Sequence, residues 1–284
     1  MSTLETARAK IASAGLPAEL EAKWQALLDG LSALPSALVA YSGGVDSGFL
    51  AYAASLALPG RVLAVTAISP FDPPGADLAA AGFAARHNIA HLSLPINPLG
   101  NPAVAGNPPD RCYHCKLAIL TALWNLARAR GCAVVIEGQN ADDAGDYRPG
   151  RRAVAETGTL SPLAATGLTK PEIRRLARAL GLSIWDRPSS PCLATRIPYG
   201  TTITRPMLEQ IARAETYLHT RGFPIVRVRW HGDTARIEVP PDRLAELLEG
   251  REQLVAVFKQ LGFHYVTLDL QGYRTGSMNE GLSQ

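Results

Sequence analysis

Ser42-Gly43-Gly44-Val45-Asp46-Ser47 is the stretch of sequence that decides the fold. An apolar run precedes it at residues 37–41 and a helix-like stretch follows it at 48–54, so we predict that it joins a strand to a helix. The two glycines permit a tight turn with inward-pointing N–H groups, while the serine hydroxyls and the helix N-terminus add donors and partial positive charge. Such a junction favours a pyrophosphate. The residues expected to bind it are Ser42, Gly43, Gly44, Asp46 and Ser47.

The same six residues also limit the class of nucleotide site. They lack the Gly-Lys-Ser/Thr ending of the Walker loop, which disfavours a P-loop ATPase that cleaves the γ-phosphate. The pattern Ser-Gly-Gly-x-Asp-Ser resembles the PP-loop ATP pyrophosphatase superfamily. That resemblance implies cleavage of ATP between the α and β phosphates, adenylation of a substrate oxygen and displacement of AMP by a nucleophile. A glycine-rich turn that merely connects a strand to a helix is the alternative.

The composition is that of an ordinary globular protein. The 284 residues are 47% hydrophobic and 19% charged, which suits about two domains. The net charge of +3 is too small to favour a nucleic acid as partner. No signal-peptide pattern opens the sequence, and no apolar run approaches the ~18 residues of a membrane span. We therefore expect a cytoplasmic protein with neither a nucleic-acid nor a membrane partner.

Short apolar strands alternate with amphipathic helices over the first two thirds of the chain, which predicts an α/β fold with a parallel, doubly wound sheet. The predicted strands occupy residues 37–41, 61–68, 90–96 and 133–137. Ligands of such sheets collect at the carboxyl ends of the strands. Ser69 and Gly138 each follow directly on a predicted strand, and we add both to the nucleotide-binding candidates.

Three segments organise the rest of this region. Residues 97–110 contain four prolines and are predicted to be a mobile loop that covers the crevice as a lid. A helix is predicted over 171–180, with Thr169 as its cap and Gly181 as its end. The proline-rich joint at 186–199 closes the first domain, which we place at residues 1–199.

A smaller α+β domain is predicted for residues 200–284, in the order helix, strand, strand, helix, strand. In the strand at 225–230 the alternation puts Arg227 and Arg229 on one face and the valines on the other. The segment 231–234 then turns the chain into a hairpin.

The arginine face of that strand has two interpretations. Arg227 and Arg229 together offer forked donors that suit a phosphate better than lysines would. Alternatively, they form a solvated sheet face with Glu215 and Glu238 nearby.

Cys112 and Cys115 open a long helix that runs to about Arg130. A thiol near a helix N-terminus and flanked by Arg111 and Lys116 ionises more readily, and the thiolate is the form that binds metal or attacks sulfur. The pair alone fits a redox site, half of a zinc site or two ligands of an iron–sulfur cluster.

A third cysteine narrows these choices. Cys192 lies in a proline-containing loop, where functional residues are common, whereas Cys132 begins an apolar strand and is expected to be a small buried residue. Structural zinc takes four ligands, and His114, between the two helical cysteines, cannot easily complete a tetrahedron. Three thiolates with one open iron fit a [4Fe–4S] cluster better. Its predicted ligands are Cys112, Cys115 and Cys192.

Carboxylates are concentrated in residues 137–150, directly after a predicted strand. They could hold Mg²⁺ against a leaving pyrophosphate, and we name Asp143 as the possible ligand. An acidic, solvated loop that ends in a turn at Pro149-Gly150 is the alternative.

Several blocks together resemble one family within the superfamily. They occupy residues 42–47, 112–116, 138–150, 185–189, 191–200, 227–232 and 268–274. They look like LarE, the ATP-dependent sulfur transferase family that supplies the nickel-pincer cofactor of lactate racemase. The resemblance spans nearly the whole chain and implies an adenine nucleotide alpha hydrolase-like PP-loop domain, with ATP and Mg²⁺ as cofactors.

The resemblance also implies a reaction and a set of catalytic residues. ATP would adenylate a carboxylate of pyridinium-3,5-biscarboxylic acid mononucleotide, and sulfur would then be delivered to give a thiocarboxylate. Cys192 matches the sulfur donor that single-cysteine members sacrifice. With Cys112 and Cys115 also present, the chain is similar instead to members whose [4Fe–4S] cluster carries an extra sulfide. Asp46 and Lys116 complete the catalytic group, with Lys116 approaching the nucleotide phosphate.

The substrate's own phosphate is implied to bind in the small domain. Glu215, Arg227 and Arg229 match the family's phosphate-binding group, and Arg196 is assigned to the substrate with them. The family forms rings, which implies a homo-oligomer. Two other classes stay open: another PP-loop enzyme that thiolates tRNA or forms amides, and a nucleotide-binding regulator or zinc-stabilised protein without turnover.

Overall fold

The computed structural model describes residues 3–145, 150–188 and 191–274, and they fall into two compact units. The first unit takes in the described residues of Met1–Ile68, Gly75–Ile96 and Cys112–Ser189. The second takes in those of Ser69–Pro74, Asn97–Arg111 and Ser190–Gln284. Segments 69–74, 97–111 and 190–199, which the sequence pattern assigned to the first domain, thus group with the second unit. The domain boundary after residue 199 stays a prediction.

The first unit is built on a parallel sheet, as the alternation of strands and helices predicts. Its strands are β1 Ala37–Ala40, β2 Val62–Ile68, β3 His91–Pro95 and β4 Val134–Glu137, and their order is β3-β2-β1-β4. All three strand pairs are parallel. The four predicted strands and the α/β fold class are confirmed.

Helices cover both faces of this sheet. The helices of the chain, including those of the second unit, are α1 Thr3–Ser13, α2 Ala18–Ser32, α3 Val45–Ala57, α4 Ala76–Arg86, α5 Pro102–Ala105, α6 Arg111–Ala129, α7 Gly150–Thr157, α8 Pro162–Ala165, α9 Lys170–Leu180, α10 Arg205–Thr220, α11 Leu244–Glu249 and α12 Arg251–Gln260. Along β1, Ala37 and Val39 join one buried cluster, whereas Leu38 joins another that includes residues of α6. Because successive side chains of a strand point to opposite faces, the sheet has a core on each side and is doubly wound.

The predicted helix over 171–180 is confirmed as α9, and its ends follow the expected chemistry. Thr169 and Glu172 form a capping box at its start, and Gly181 ends it with a φ of 76°. Lys10 donates to the Leu180 carbonyl from α1, at 3.1 Å. Both ends of α9 therefore have hydrogen-bond partners, which fixes the position of its first residue, Lys170.

The prediction of a mobile lid over residues 97–110 is wrong. Pro98 begins a short 3-10 helix and Pro102 begins α5, so two of the four prolines take the first helical position that their fixed φ suits. Val104 and Asn107 are fully buried. Asn107 Nδ2 donates to the Ile197 and Pro198 carbonyls at 3.2 and 2.7 Å. The segment is thus packed within the second unit.

The second unit contains a three-stranded sheet. Its strands are β5 Arg227–His231, β6 Thr234–Glu238 and β7 Tyr265–Leu268, in the order β5-β6-β7. β5 and β6 form the predicted antiparallel hairpin, while β7 pairs with β6 in parallel. Val228, Phe258 and Phe263 are fully buried in the core of this unit. The predicted order of elements is confirmed, except that two helices, α11 and α12, stand where one was expected.

Within the described residues, every helix is too short or too polar to cross a bilayer.

Candidate active site

The glycine-rich loop joins β1 to α3 as predicted. Gly43 has a φ of 77°, which glycine adopts without strain, and Gly44 precedes the first residue of α3. The hydroxyl of Ser47 lies 3.0 Å from that of Ser42 and accepts the Ser42 N–H at 3.2 Å. The two serines therefore hold the two ends of the loop together. Because α3 begins directly after this loop, its first N–H groups lie at the carboxyl end of the sheet. These groups have no partner within the helix.

Gly138 lies directly against the start of α3. Ala40 and Glu137 are register partners at the ends of β1 and β4, so the two following loops are neighbours. A Cβ on Gly138 would lie 2.8 Å from Ser47 N and 3.0 Å from Ser47 Cα. Only a residue without a side chain fits this approach, and the structure thus brings Gly138 together with the predicted phosphate loop.

Gly138→Ala is expected to destabilise the protein by about 1–3 kcal/mol, because the added methyl group meets backbone atoms that cannot rotate away. The displaced start of α3 should also weaken ATP binding. Urea unfolding and nucleotide titration measure the two effects.

Gly82→Ala is the matched control for this substitution. Gly82 is an exposed residue of α4 with open space around it, so alanine should stabilise the protein by about 0.4–1 kcal/mol. If Gly138→Ala were equally harmless, the close approach of the two loops would be contradicted.

Within the described part of the chain, only one of the two Asp46 carboxylate oxygens has hydrogen-bond partners. Its Oδ2 accepts from Lys170 Nζ at 2.8 Å and from Asn140 Nδ2 at 3.3 Å. Its Oδ1 is buried and has no hydrogen-bond partner among the described residues. A buried carboxylate oxygen is costly to leave unpaired. This oxygen therefore fits a Mg²⁺ ligand, as hard oxygen donors do.

Asp143, the possible Mg²⁺ ligand, has a structural contact. Its Oδ2 accepts the Asn140 N–H at 3.0 Å and so supports the turn that carries Asn140 toward Asp46. The side chain is 7% exposed. Its role as a metal ligand stays a prediction.

Lys116 is held at the carboxyl end of β4. Its Nζ lies 3.0 Å from Glu137 Oε2. The buried Glu137 also accepts the Gln139 N–H, at 3.1 Å, and the Ser161 hydroxyl through Oε1. The side chain of Lys116 passes so close to Gly150 that a Cβ there would lie 2.9 Å from Lys116 Cδ. The position of this predicted catalytic ammonium is thus fixed by a salt bridge and by packing.

Several residues beside the loop were not identified from the sequence. Lys170 and Asn140 contact Asp46, Glu137 holds Lys116, and Arg187 donates to the Gly43 carbonyl. Arg187 does lie in the block at 185–189 that resembles LarE, which was the available signal. For Lys170, no local pattern pointed to a contact 124 residues away.

Ser69 and the nucleotide loop belong to different units. Ser69 donates to Asp72 Oδ2 from its backbone N–H at 2.7 Å and from its hydroxyl at 3.0 Å, which makes a compact turn at the start of the second unit. Its proposed contact with the nucleotide stays a prediction.

The four cysteines differ in exposure and in location. Cys112 is exposed and Cys115 half-buried, three residues apart in the first turn of α6 and therefore on one face. Cys132 packs partly buried against the core, and burial raises the pKa of its thiol, as expected for a structural cysteine. Cys192 is half-buried in the second unit, directly before a 3-10 turn over Leu193–Arg196. Within the described ranges, no group of three or more Cys, His, Asp or Glu side chains is arranged to hold a metal.

Charged residues form a buried cluster in the second unit, and all of its members except Glu238 were predicted to bind substrate. Its members are between 0% and 8% exposed. They are Arg196, Glu215, Arg227, Arg229 and Glu238. The arginine face is therefore not solvated, although Glu238 lies beside Arg229 as the alternative expected.

Two of these arginines have carboxylate partners. Arg196 makes a forked pair with Glu215 at 2.9 and 2.9 Å, and Arg229 makes one with Glu238 at 2.9 and 2.7 Å. Arg227 donates to the Val226 carbonyl at 2.7 Å and lies over the Tyr273 ring, 5.1 Å from its centroid. Burial, together with the positive charges of Arg196 and Arg229, lowers the pKa of the Arg227 guanidinium.

The protein is an α/β protein of the PP-loop type. The parallel sheet, the glycine-rich loop after β1 and the close approach of Gly138 to that loop define this class. No family model matches the chain. The pyridinium-3,5-bisthiocarboxylic acid mononucleotide synthase of Lactiplantibacillus plantarum is 37% identical over 269 residues, which are 94% of this chain and 97% of that protein. The chain therefore belongs to the LarE family.

Two further relatives cover most of the chain. Uncharacterized protein slr1717 of Synechocystis sp. is 42% identical over 267 residues, which are 93% of this chain and 100% of that protein. Uncharacterized protein MJ0830 of Methanocaldococcus jannaschii is 29% identical over 238 residues, which are 84% and 90% of the two chains. The similarity thus extends over both units.

Proposed function

We propose that this protein is an ATP-dependent sulfur transferase that converts a carboxylate of pyridinium-3,5-biscarboxylic acid mononucleotide into a thiocarboxylate. The observation that carries the proposal is the 37% identity, over 94% of the chain, to a synthase named for the bisthiocarboxylic product. The loop between β1 and α3 supports it, because its glycines and helix N-terminus suit the phosphates of ATP. The product would serve nickel-pincer cofactor biosynthesis and the activation of lactate racemase.

The first half-reaction uses the residues around the loop. A carboxylate oxygen of the substrate attacks the α-phosphorus of ATP, the bond to the bridging oxygen breaks, and pyrophosphate leaves. Loop amides and the Lys116 ammonium neutralise the phosphates, and Mg²⁺ on Asp46 Oδ1 would stabilise the leaving pyrophosphate. Lys170 holds the other oxygen of Asp46 at 2.8 Å, which keeps Oδ1 directed away from it.

The second half-reaction replaces oxygen by sulfur. Sulfide attacks the acyl carbon of the adenylate, the carbon–oxygen bond breaks, and AMP leaves with the former carboxylate oxygen. Two such rounds convert both carboxylates. Atoms balance without an oxidant or a reductant, because sulfide supplies the sulfur and ATP removes the oxygen.

The sulfur has two candidate sources, and the cysteines favour a cluster. Cys112 and Cys115 present two thiols on one face of α6, which suits two ligands of a cubane, and Cys192 would be the third. Bound by three thiolates, a [4Fe–4S] cluster would supply an open iron for exchangeable sulfide. Sacrifice of the Cys192 sulfur is the second candidate, favoured by the half-exposed position of that thiol.

The substrate's phosphate would bind at the buried arginine cluster. Arg227 and Arg229, which β5 places on one face, would donate to it, and a forked pair with Glu238 orients the Arg229 guanidinium. We also propose a homo-oligomer in the cytoplasm, with no nucleic acid and no membrane as partner. A PP-loop enzyme that acts on tRNA or forms amides has less support, since the relative with a named product is the mononucleotide synthase.

The proposal is tested by incubating the protein with ATP, Mg²⁺, sulfide and the biscarboxylic mononucleotide under anaerobic conditions. We expect AMP and pyrophosphate in equal amounts and a substrate that has exchanged one oxygen, then two, for sulfur, as mass spectrometry detects. AMP release with tRNA or ammonia but not with the mononucleotide would contradict the proposed substrate. Absence of AMP with any of them would leave only the nucleotide-binding regulator.

A further inference from the structure

The turn that carries Cys192 is held through its backbone. Leu193 N–H donates to the Phe71 carbonyl at 2.7 Å. Arg111 Nη1 donates to the Ala194 carbonyl at 3.1 Å, and Arg229 Nη1 to the Thr195 carbonyl at 2.8 Å. Each of these contacts lies within the second unit. The segment predicted as an irregular loop is therefore an anchored turn.

Arg196 contributes the contacts nearest to the thiol. Its Nη1 donates to the Pro191 carbonyl at 2.9 Å, to the Cys192 carbonyl at 3.1 Å and to Thr195 Oγ1 at 2.9 Å. Thr195 Oγ1 in turn donates to the same Cys192 carbonyl at 2.9 Å. The Thr195 N–H also donates to this carbonyl, at 3.0 Å, so three donors hold it, while Cys192 itself stays half-buried.

Glu215 fixes the other side of the Arg196 guanidinium. Its two oxygens accept Nε and Nη2, and Oε1 also accepts the Val228 N–H of β5 at 2.9 Å. The side chains of the pair are 1% and 6% exposed. A continuous series of hydrogen bonds therefore runs from the backbone of β5, through Glu215 and Arg196, to the carbonyl of Cys192.

These contacts occupy every nitrogen of the Arg196 guanidinium. A phosphate that bound Arg196 through two of its nitrogens would have to displace either Glu215 or the carbonyls of the turn, and both losses are costly for buried groups. A planar guanidinium can hold a carboxylate on one side and carbonyls on the other, whereas a lysine ammonium cannot span both. The geometry thus suits the fixing of a backbone better than the binding of a ligand.

We infer that the Arg196–Glu215 pair positions the Cys192 thiol for sulfur transfer and does not bind the substrate's phosphate. The pair acts through the Cys192 carbonyl and is a positioning device. The inference rests on the proposed role of Cys192 in supplying or holding sulfur.

The test measures the reactivity of Cys192 and the kinetics of the same variants. Full-length, reduced protein without added iron is treated with iodoacetamide, and the alkylation of each cysteine is followed by peptide mass spectrometry. Arg196→Lys should raise the alkylation rate of Cys192 by at least about fivefold, because the turn opens more often. It should also lower kcat by about 100-fold with little change in the substrate KM, because the sulfur is misplaced.

Two controls separate positioning from general unfolding. Cys132 is partly buried in the first unit, so its alkylation rate measures unfolding of the whole protein. We expect that rate to be the same in Arg196→Lys as in the wild type. Arg221→Lys changes an exposed arginine of the second unit whose contacts are with Tyr217 and Gln253, and it should leave Cys192 reactivity and kcat unchanged.

Thr195→Val keeps the inference falsifiable if Arg196→Lys does not fold. The substitution removes only the hydroxyl that holds the Cys192 carbonyl, and it should raise Cys192 alkylation in the same direction. Unchanged Cys192 reactivity in the folded variants would overturn the inference, as would a raised substrate KM with unchanged reactivity. Alkylation is measured without substrate, so the alkylation result remains valid even if the protein does not transfer sulfur. Absence of a thiocarboxylate product in the wild type would contradict only the proposed function.

Discussion

Asp46→Ala is expected to lower the rate of AMP release by about 100- to 1,000-fold, the effect of removing one preorganised charged group from a reaction centre. The buried Oδ1, which has no hydrogen-bond partner among the described residues, is the atom suited to Mg²⁺, and Oδ2 is paired with Lys170. Alanine removes both oxygens. Release of AMP and pyrophosphate, measured at saturating ATP and substrate, gives the effect.

Asp46→Asn and Asp29→Asn sharpen this measurement. The asparagine at 46 preserves the shape of the side chain but removes the charge, so it should be nearly as inactive as alanine while unfolding at a similar denaturant concentration. Asp29, exposed on α2 and hydrogen-bonded to Gln25, should tolerate the same change without loss. Undiminished AMP release in Asp46→Ala would remove the catalytic role of the loop.

The second large effect concerns the cysteines. Substitution of Cys112, Cys115 or Cys192 by alanine should abolish both the brown colour of anaerobically reconstituted protein and multiple-turnover sulfur transfer, because three thiolates are the fewest that hold a cubane with one open iron. Cys132→Ala is the matched control and should keep both, since Cys132 packs against the core. Iron content and thiocarboxylate formation with added sulfide are the measurements.

The mass of the polypeptide distinguishes the two sources of sulfur. With cluster-bound sulfide the chain should keep its mass through many turnovers. A sacrificial mechanism removes H₂S from Cys192 and leaves dehydroalanine, a loss that oxidation of a thiol cannot imitate because oxidation adds oxygen or removes only hydrogen and keeps the sulfur. Dehydroalanine in the wild type, or full activity without Cys112 and Cys115, would contradict the cluster while leaving sulfur transfer intact.

The sequence predicted those parts of the fold that depend on local pattern. The four parallel strands, α9 with its capping box and the β5–β6 hairpin follow from hydrophobic periodicity, cap residues and turn residues. The prediction of a mobile lid at 97–110 was wrong because proline was interpreted only as a helix breaker, although Pro98 and Pro102 occupy first helical positions. Its burial depends on Asn107 and its distant carbonyl partners, which no local pattern shows.

The sequence predicted those parts of the candidate site that lie within one short motif. It did not predict contacts between residues that are distant in the sequence. The glycine loop and Gly138 were named from strand ends, and the structure brings them together. The contact of Lys170 with Asp46 depends on the packing of α9, and the forked pairs of Arg196 and Arg229 depend on α10 and β6. Alternation along β5 correctly put Arg227 and Arg229 on one face but could not show that Glu238 forms a forked pair with Arg229.

The absence of a side chain at Gly138 has a consequence for how this enzyme family can diverge. The Ser47 amide is among the first N–H groups of α3, which the helix itself leaves unpaired, and a methyl group at 138 would lie 2.8 Å from its nitrogen. Any larger residue would therefore shield this N–H group as well as crowd the backbone. Residue 138 therefore cannot be substituted without loss, and a new substrate must be accommodated by changes elsewhere in the chain. The second unit has a core of its own, and neither Gly138 nor Ser47 belongs to it.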